Sequence, residues 1–347
     1  MTPNSAQPLS STPLLSTAGR APRPMLAREA DAVYWMGRYV ERAEHVARLL
    51  RVKLNLLADA GDLDETLVEQ LWSVVPRVFR NVPPAVPDPA VAATGDSLAG
   101  RIVAQMAFDA DNPNALLCCL SRARENARSV RETISAEMWE ELNGIYWVIH
   151  ADDARQRFDE SPDAFLKNVL TFSMLFQGLA DQTLRHDQRW QFIQLGKSLE
   201  RIDFTCRVIA LHWDILTAAE HALDEPLRNI HWMGLLRACC SIEAYRKSYL
   251  AELDGLRVCT FLLLEPNFPR SVRFAVRAAS DAIHAIRLES DARKADVAQR
   301  ILGRLDAQLE YAEPAELLAE GVPAYLQRIA SAAADAALAL QRGYFLH

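Results

Sequence analysis

Glycine is scarce in this 347-residue chain, at 13 residues, which removes most of the loops that cradle phosphate through bare backbone. No P-loop, GxGxxG, HExxH or GxSxG pattern occurs, so the usual nucleotide-binding, zinc-protease and serine-hydrolase signatures are missing. Apolar runs such as Phe261 to Leu264 fall far short of the roughly 20 residues that span a bilayer, so no membrane association is expected. Basic residues are outnumbered, 38 against 45 acidic, and the net charge of −7 supplies no global field to attract nucleic acid. None of the six cysteines forms a CxxC motif, and they read as small core residues in a reducing cytosol rather than as a metal or redox site. No apolar signal-peptide core precedes Met25, so export is not expected and the chain reads as cytoplasmic.

What is present favours helix. Half of the residues are hydrophobic and 24% are charged, the composition of a soluble globular protein. Residues 1–24 are rich in Ser, Thr and Pro without an aromatic side chain and read as a disordered tail. Pro83, Pro84, Pro87 and Pro89 forbid a continuous helix between Asn81 and Gly95. Elsewhere apolar residues recur at steps of three and four, which predicts long helices over 27–58 and 187–218. Further helical patterns cover 116–134, 163–184, 227–250, 271–288 and 323–340. Asn112-Pro113 and Ser161-Pro162 read as an N-cap followed by a proline in the first turn. No stretch alternates with period two, and the fold class expected is all-α.

The most telling pattern is a repetition. Gly37, Glu41, Arg42 and Arg48 recur with the same spacing as Gly196, Glu200, Arg201 and Arg207, while Arg38 matches Lys197 and Glu44 matches Asp203. Trp72 and Arg77 match Trp232 and Arg237, and Phe108, Pro113, Asn114 and Arg124 match Phe261, Pro266, Asn267 and Arg277. The run from Ala164 to Thr171 matches that from Ala324 to Ser331. Anchors in one order imply two copies of one structural unit. The expectation is a multi-helix bundle built from two diverged tandem copies, 25–186 and 187–347, packed as one body.

On a helical wheel Tyr34, Gly37, Glu41, His45 and Arg48 lie nearly opposite the apolar stripe of the first long helix. Arg38 or His45 can reach Glu41 along that helix. A solvated face with surface ion pairs is the plain reading, yet repetition of the pair favours a partly buried polar layer between the two long helices. Such a layer is either a structural ion network or an anion site. A second basic cluster, Arg124, Asn126, Arg128 and Arg131 in the run SRARENARSVRE, is either an anion-binding face or a surface charge lattice. Arg270 and Arg273 flank Ser271 after Pro269, where a helix start would also favour anions. Asp281-x-x-His284 is the one approach to a di-iron motif, and it reads as a surface pair. No metal and no cofactor are expected. Trp35, Trp139, Trp147, Trp190 and Trp232 sit among apolar residues and read as core or interface.

Taken together, LAREADAVYWMGRYVERAEHVARLL, SRARENARSVRETISAEMWEELN, QLGKSLERID and FLLLEPNFPRSVRF resemble the bacterial alpha-E domain family, helical domains of unknown function named for a Glu-Arg motif. The resemblance runs from Met25 to the C-terminus. It implies an all-helical fold and an association with a circularly permuted ATP-grasp protein, often also with a transglutaminase-like protease, and hence a role in making or modifying a peptide-like amide. It carries the motif onto Glu41, Arg42, Glu200 and Arg201, and the arginine-rich segment onto Arg124, Asn126, Arg128 and Arg131. Lys197 in place of an arginine keeps the charge but loses the planar fork. Two functions follow as expectations: a non-catalytic subunit that holds substrate for an ATP-grasp amide ligase, or an enzyme with Glu41 or Glu200 as general base. A purely structural scaffold is the third.

Overall fold

The computed structural model of the chain describes residues 25–59, 65–81, 97–218, 225–249, 253–289 and 295–345. The expected tail and most of the proline-rich break lie outside the described residues. Among the described residues every regular element is helical. The first run comprises α1 (Ala27–Asp59), α2 (Glu65–Val78), α3 (Leu98–Val103), a π-helical turn (Ala104–Phe108), α4 (Leu116–Ser129), α5 (Ala136–Ile149), α6 (Ala154–Glu160) and α7 (Pro162–Thr183). The second comprises α8 (Gln188–Ala218), α9 (Glu225–Ala238), α10 (Ile242–Tyr249), α11 (Gly255–Leu264), α12 (Val272–Glu289), α13 (Asp296–Glu310), α14 (Pro314–Glu320), α15 (Val322–Leu340) and a closing π-helical turn (Gln341–Phe345). None of the described helices is long and apolar enough to cross a membrane.

The long helices α1 and α8 form the axis of the molecule. Helices α4 and α7 pack on α1, α12 and α15 pack on α8, and α2 and α9 each lie against both long helices. Because neighbours surround α1, the face opposite its apolar stripe is buried as well: Tyr34, Glu41, Glu44 and His45 are as inaccessible as Val33, Met36 and Val40. A helix apolar on one side and charged on the other is normally half exposed; here the charged side meets charge on α8.

Local signals set the helix ends. Ser97, Ser135 and Asp254 accept backbone N–H bonds as N-caps, and the Ser271 Oγ accepts one from Phe274 at 3.1 Å, so α12 starts where the Pro269-Arg270-Ser271 segment predicts. Pro162 opens α7 as expected, although Ser161 makes no side-chain cap. At Asn112-Pro113 the expectation fails: α4 begins at Leu116. The Asn112 carboxamide is committed elsewhere, accepting from the Asn114 backbone and donating to the Gln105 carbonyl, so a turn forms where a cap was expected. Helices α2 and α9 end alike. Each closes in a Schellman motif: the Asn81 and Arg80 N–H groups donate to the Pro76 and Arg77 carbonyls, and the Ser241 and Cys240 N–H groups to those of Leu236 and Arg237. The left-handed position falls on Arg80 (φ 61°) and Cys240 (φ 54°).

Candidate functional site

The two long helices run parallel and in register. Gly37 on α1 faces Ile193 on α8 and Gly196 faces Tyr34; a Cβ on Gly37 would stand 2.6 Å from the Ile193 carbonyl oxygen, and one on Gly196 would meet the Tyr34 carbonyl more closely still. Two turns on, the rings of His45 and Phe204 stack with centroids 3.9 Å apart. After two more turns Lys53 Nζ lies 3.4 Å from His212 Nε2. The His45–Phe204 and Lys53–His212 pairs each join positions 159 residues apart, the glycine contacts lie three residues either side of that offset, at 156 and 162, and the series covers about 24 Å of helix.

Between the glycines and the rings sit the two Glu-Arg pairs, and each glutamate is bonded from the other helix. The Arg42 guanidinium donates to both oxygens of Glu200, at 2.6 and 2.9 Å, and Arg38 Nε adds a third bond at 2.9 Å. Arg201 Nε donates to Glu41 Oε1 at 2.8 Å. Arg38 therefore pairs with Glu200, and not along its own helix with Glu41 as the spacing allowed. His45 Nε2 does lie 3.2 Å from Glu41. Arg48 pairs with Glu44 and Arg207 with Asp203, each one turn along its helix. Arg270 reaches in from the segment before α12 to bond Glu44, with Glu41 at 3.6 Å.

Burial pushes the Glu200 carboxyl up, but Arg42 and Arg38 outweigh it and hold the group at about 2. Glu41 is likewise buried, and Arg201, His45 and Arg270 hold it well below the usual carboxylate range. Both glutamates are thus fixed anions, poor at taking a proton near neutral pH. Asp203 differs: burial and the neighbouring Glu200 raise it to about 6.

The two sides of the layer are unlike. Over Glu200 a cleft of about 760 Å³ opens between α1, α8, the end of α2, the 109–114 turn and the end of α15. Buried Glu200 with Arg38 and Arg42 lies at its base, and its lining also includes Arg80, Asp203, Arg207, Asp109 and Asp111 together with the aromatic Tyr34, Trp35 and Phe345. A carboxamide chain braces the floor: Arg42 donates to Asn114 (3.0 Å), Asn114 to Asn81 (2.9 Å) and Asn81 to Asn112 (2.6 Å). On the Glu41 side Arg201 donates instead to the Pro269 carbonyl at 2.9 Å, and Arg270 occupies the space.

Of the predicted site residues, Tyr34, Arg38, Glu41, Arg42, Arg48, Glu200, Arg201, Arg207 and Arg270 converge on this layer and its flanks. The second basic cluster does not. Arg124 is spread over α5, 4.4 Å from the Tyr146 ring centroid and bonded to Asn143. Arg131 lies over Trp139, exposed Arg128 pairs with Glu125, and Asn126 uses its carbonyl to receive Ser129. Arg273 joins none of the bonds of the layer. Trp147, expected in the core or an interface, is 60% exposed and so lies outside the core. Sequence reasoning missed Arg80, Asn81, Asp109 and Asp111 as cleft residues; they lie in turns without helical periodicity, although the recurrence of Asn114 as Asn267 was a usable signal. Among the described residues no group of three or more His, Cys, Asp or Glu is placed to hold a metal ion.

An all-helical domain organised by an interlocked Glu-Arg layer is the class these features define. The chain belongs to the Alpha-E family, described as a predicted alpha-helical domain with a conserved ER motif, whose model matches residues 25–345. It is 25% identical over 302 residues to an uncharacterized protein of Mycobacterium bovis, and 24% identical over 302 residues to one of Mycobacterium tuberculosis. In both cases the match covers 84% of this chain and 33% of the relative, so the chain spans about a third of the length of these relatives. No solved structure matches it.

Proposed function

We propose that the chain is a non-catalytic holding subunit, in which the Glu-Arg layer fixes the fold and the cleft over Glu200 binds a peptide-like ligand for an ATP-grasp amide ligase. The observation that carries this reading is the state of Glu200: three guanidinium N–H bonds leave its carboxylate neither basic nor available, while a polar cleft opens directly above it. A general base needs a carboxyl raised toward neutrality, and both glutamates are moved the other way. The cleft offers Arg80 for a carboxylate and Asp109 and Asp111 for an ammonium group, a layout suited to a zwitterion, with an aromatic side for its apolar part. The link to an ATP-grasp protein rests on the family resemblance, and the greater length of the relatives supports a domain that works beside another. An ATP-grasp partner would supply the nucleotide site for which this sequence has no motif.

The same reading treats the chain as two diverged copies. Its support is the shared offset of in-contact pairs along α1 and α8, the matching ends of α2 and α9, and the matching bounds of α6 with α14. Buried positions of α4 (Leu116, Cys119, Leu120, Ala123, Ala127) coincide with those of α12 (Val272, Ala275, Val276, Ala279, Ile283) at a shift of 156 residues, not at the 153 that paired Arg124 with Arg277. Three additional residues, Phe268-Pro269-Arg270, account for the change. They bring in the arginine that fills the Glu41 side, which favours one ligand site in the pair of copies.

Reconstitution with the ATP-grasp protein tests the proposal. Amide formation should fall when this chain is left out, and Arg80→Gln with Asp111→Asn should raise KM with little change in kcat. Glu200→Gln should lower Tm by several degrees, since it strands two buried guanidinium groups at a cost of about 3–5 kcal/mol. Full ligase activity without the chain would sink the holding role; unchanged Tm with abolished turnover in Glu200→Gln would assign the chemistry to this chain.

A further inference from the structure

A second cleft, of about 560 Å³, lies on the opposite flank of α1, where α9 and α10 meet α7. It is lined by Arg48, Arg51 and Arg237 against a single carboxylate, Glu243, and its apolar wall is Val52, Leu170 and Ile242. Arg51 is anchored to Asp163 through two bonds, at 2.6 and 3.1 Å. Arg48 spends one terminal nitrogen on Glu44, and its Nε is buried without a hydrogen-bond partner. Arg237 is exposed and its guanidinium has no hydrogen bond or ion pair among the described residues. The basic lining recurs across the molecule, where Arg77 and Arg207 line a smaller cleft of about 350 Å³ at positions 160 and 159 residues from Arg237 and Arg48.

We propose that the cleft between α1 and α9 is an anion site for a phosphorylated small molecule, with Arg237 and Arg48 as its oxyanion donors and the Val52, Leu170 and Ile242 wall receiving the organic part. Glu44 and Asp163 already hold Arg48 and Arg51 in place, so the unpaired charge at the cleft is that of Arg237. A phosphate ester or diphosphate has the oxygen count to engage the Arg237 fork and the Arg48 terminal N–H together, which a monocarboxylate does not. Arg48 commits only one terminal nitrogen to Glu44, which leaves the other for an incoming oxygen. This site is separate from the cleft over Glu200 and stands whether or not that cleft holds a peptide.

Cys240 lines this cleft and provides the readout. The only other partly accessible cysteine is Cys118, on α4; the remaining four are buried. The full chain is alkylated with iodoacetamide in the presence of inorganic pyrophosphate or succinate, and labelling at each cysteine is followed by peptide mapping. Pyrophosphate should slow labelling of Cys240 by five-fold or more, leave Cys118 unchanged, and act at concentrations where succinate does not. Arg237→Gln, which removes an unbonded surface side chain, should raise the pyrophosphate concentration needed for half-maximal protection at least ten-fold, while Arg77→Gln should not. Absence of protection at millimolar pyrophosphate, equal protection by succinate, or full protection in Arg237→Gln would each overturn the assignment.

Discussion

At Gly196 a single methyl group decides whether the long helices can meet. The obstacle to a side chain there is the Tyr34 carbonyl, which is backbone of a central helix and cannot swing aside. Gly196→Ala should therefore destabilise by about 2–3 kcal/mol. Gly178→Ala, on a helix face with nothing within 4 Å, should stabilise by about 0.5–1 kcal/mol. Chemical denaturation of both variants checks the contrast; equal behaviour would mean that the helices do not approach at the glycines. The two glycines were visible in the sequence because they recur. Their bonded neighbours were only half visible: spacing along one helix placed Arg38 beside Glu41, but it carries no information about which carboxylate on another helix lies closer.

At the scale of the element, α1, α8 and α9 enclose a buried cluster of basic side chains, Lys53, His212 and His231, that periodicity does not reveal. Burial lowers the Lys53 amine from 10.5 to about 7, holds His212 well below its ordinary value and takes His231 to about 4. His212 donates from Nδ1 to the Val208 carbonyl at 2.7 Å, which leaves Nε2 to face Lys53. Depressed basic groups cost stability when protonated. Between pH 7 and 10.5 the unfolded chain holds the Lys53 proton and the folded chain does not, so stability climbs with pH across that window and is lowest from this group below pH 7. Lys53→Met should raise stability by on the order of 3 kcal/mol below pH 7 and flatten the climb between pH 7 and 10. Melting curves at pH 6, 8 and 10 test it, and an unaltered pH slope would show that Lys53 is solvated. The helical extents of α1 and α8 were legible to within a residue or two, because apolar spacing fixes where a helix runs. Burial of its opposite face was legible only through the repetition of the Glu-Arg pair, since a single charged stripe looks the same against water as against a complementary stripe.

For the whole molecule, shared helices and crossed bonds make the two runs interdependent. Glu41 depends on Arg201 and Glu200 on Arg42, while α2 and α9 each bridge α1 and α8. A fragment of residues 25–186 should fail to form a cooperative structure alone, as should 187–347, whereas the two coexpressed should associate into a soluble complex. Circular dichroism and thermal melts of the separate fragments provide the measurement, and a cooperative melt from either one alone would contradict the interlock. The left-handed residues Arg80 and Cys240 bear on how such a molecule responds to selection. Glycine would sit at both positions without the steric cost of about 1 kcal/mol that a side chain meets there, yet each side chain lines a cleft. Selection for heat resistance alone would drive both positions to glycine, and the clefts would be stripped as the scaffold hardened.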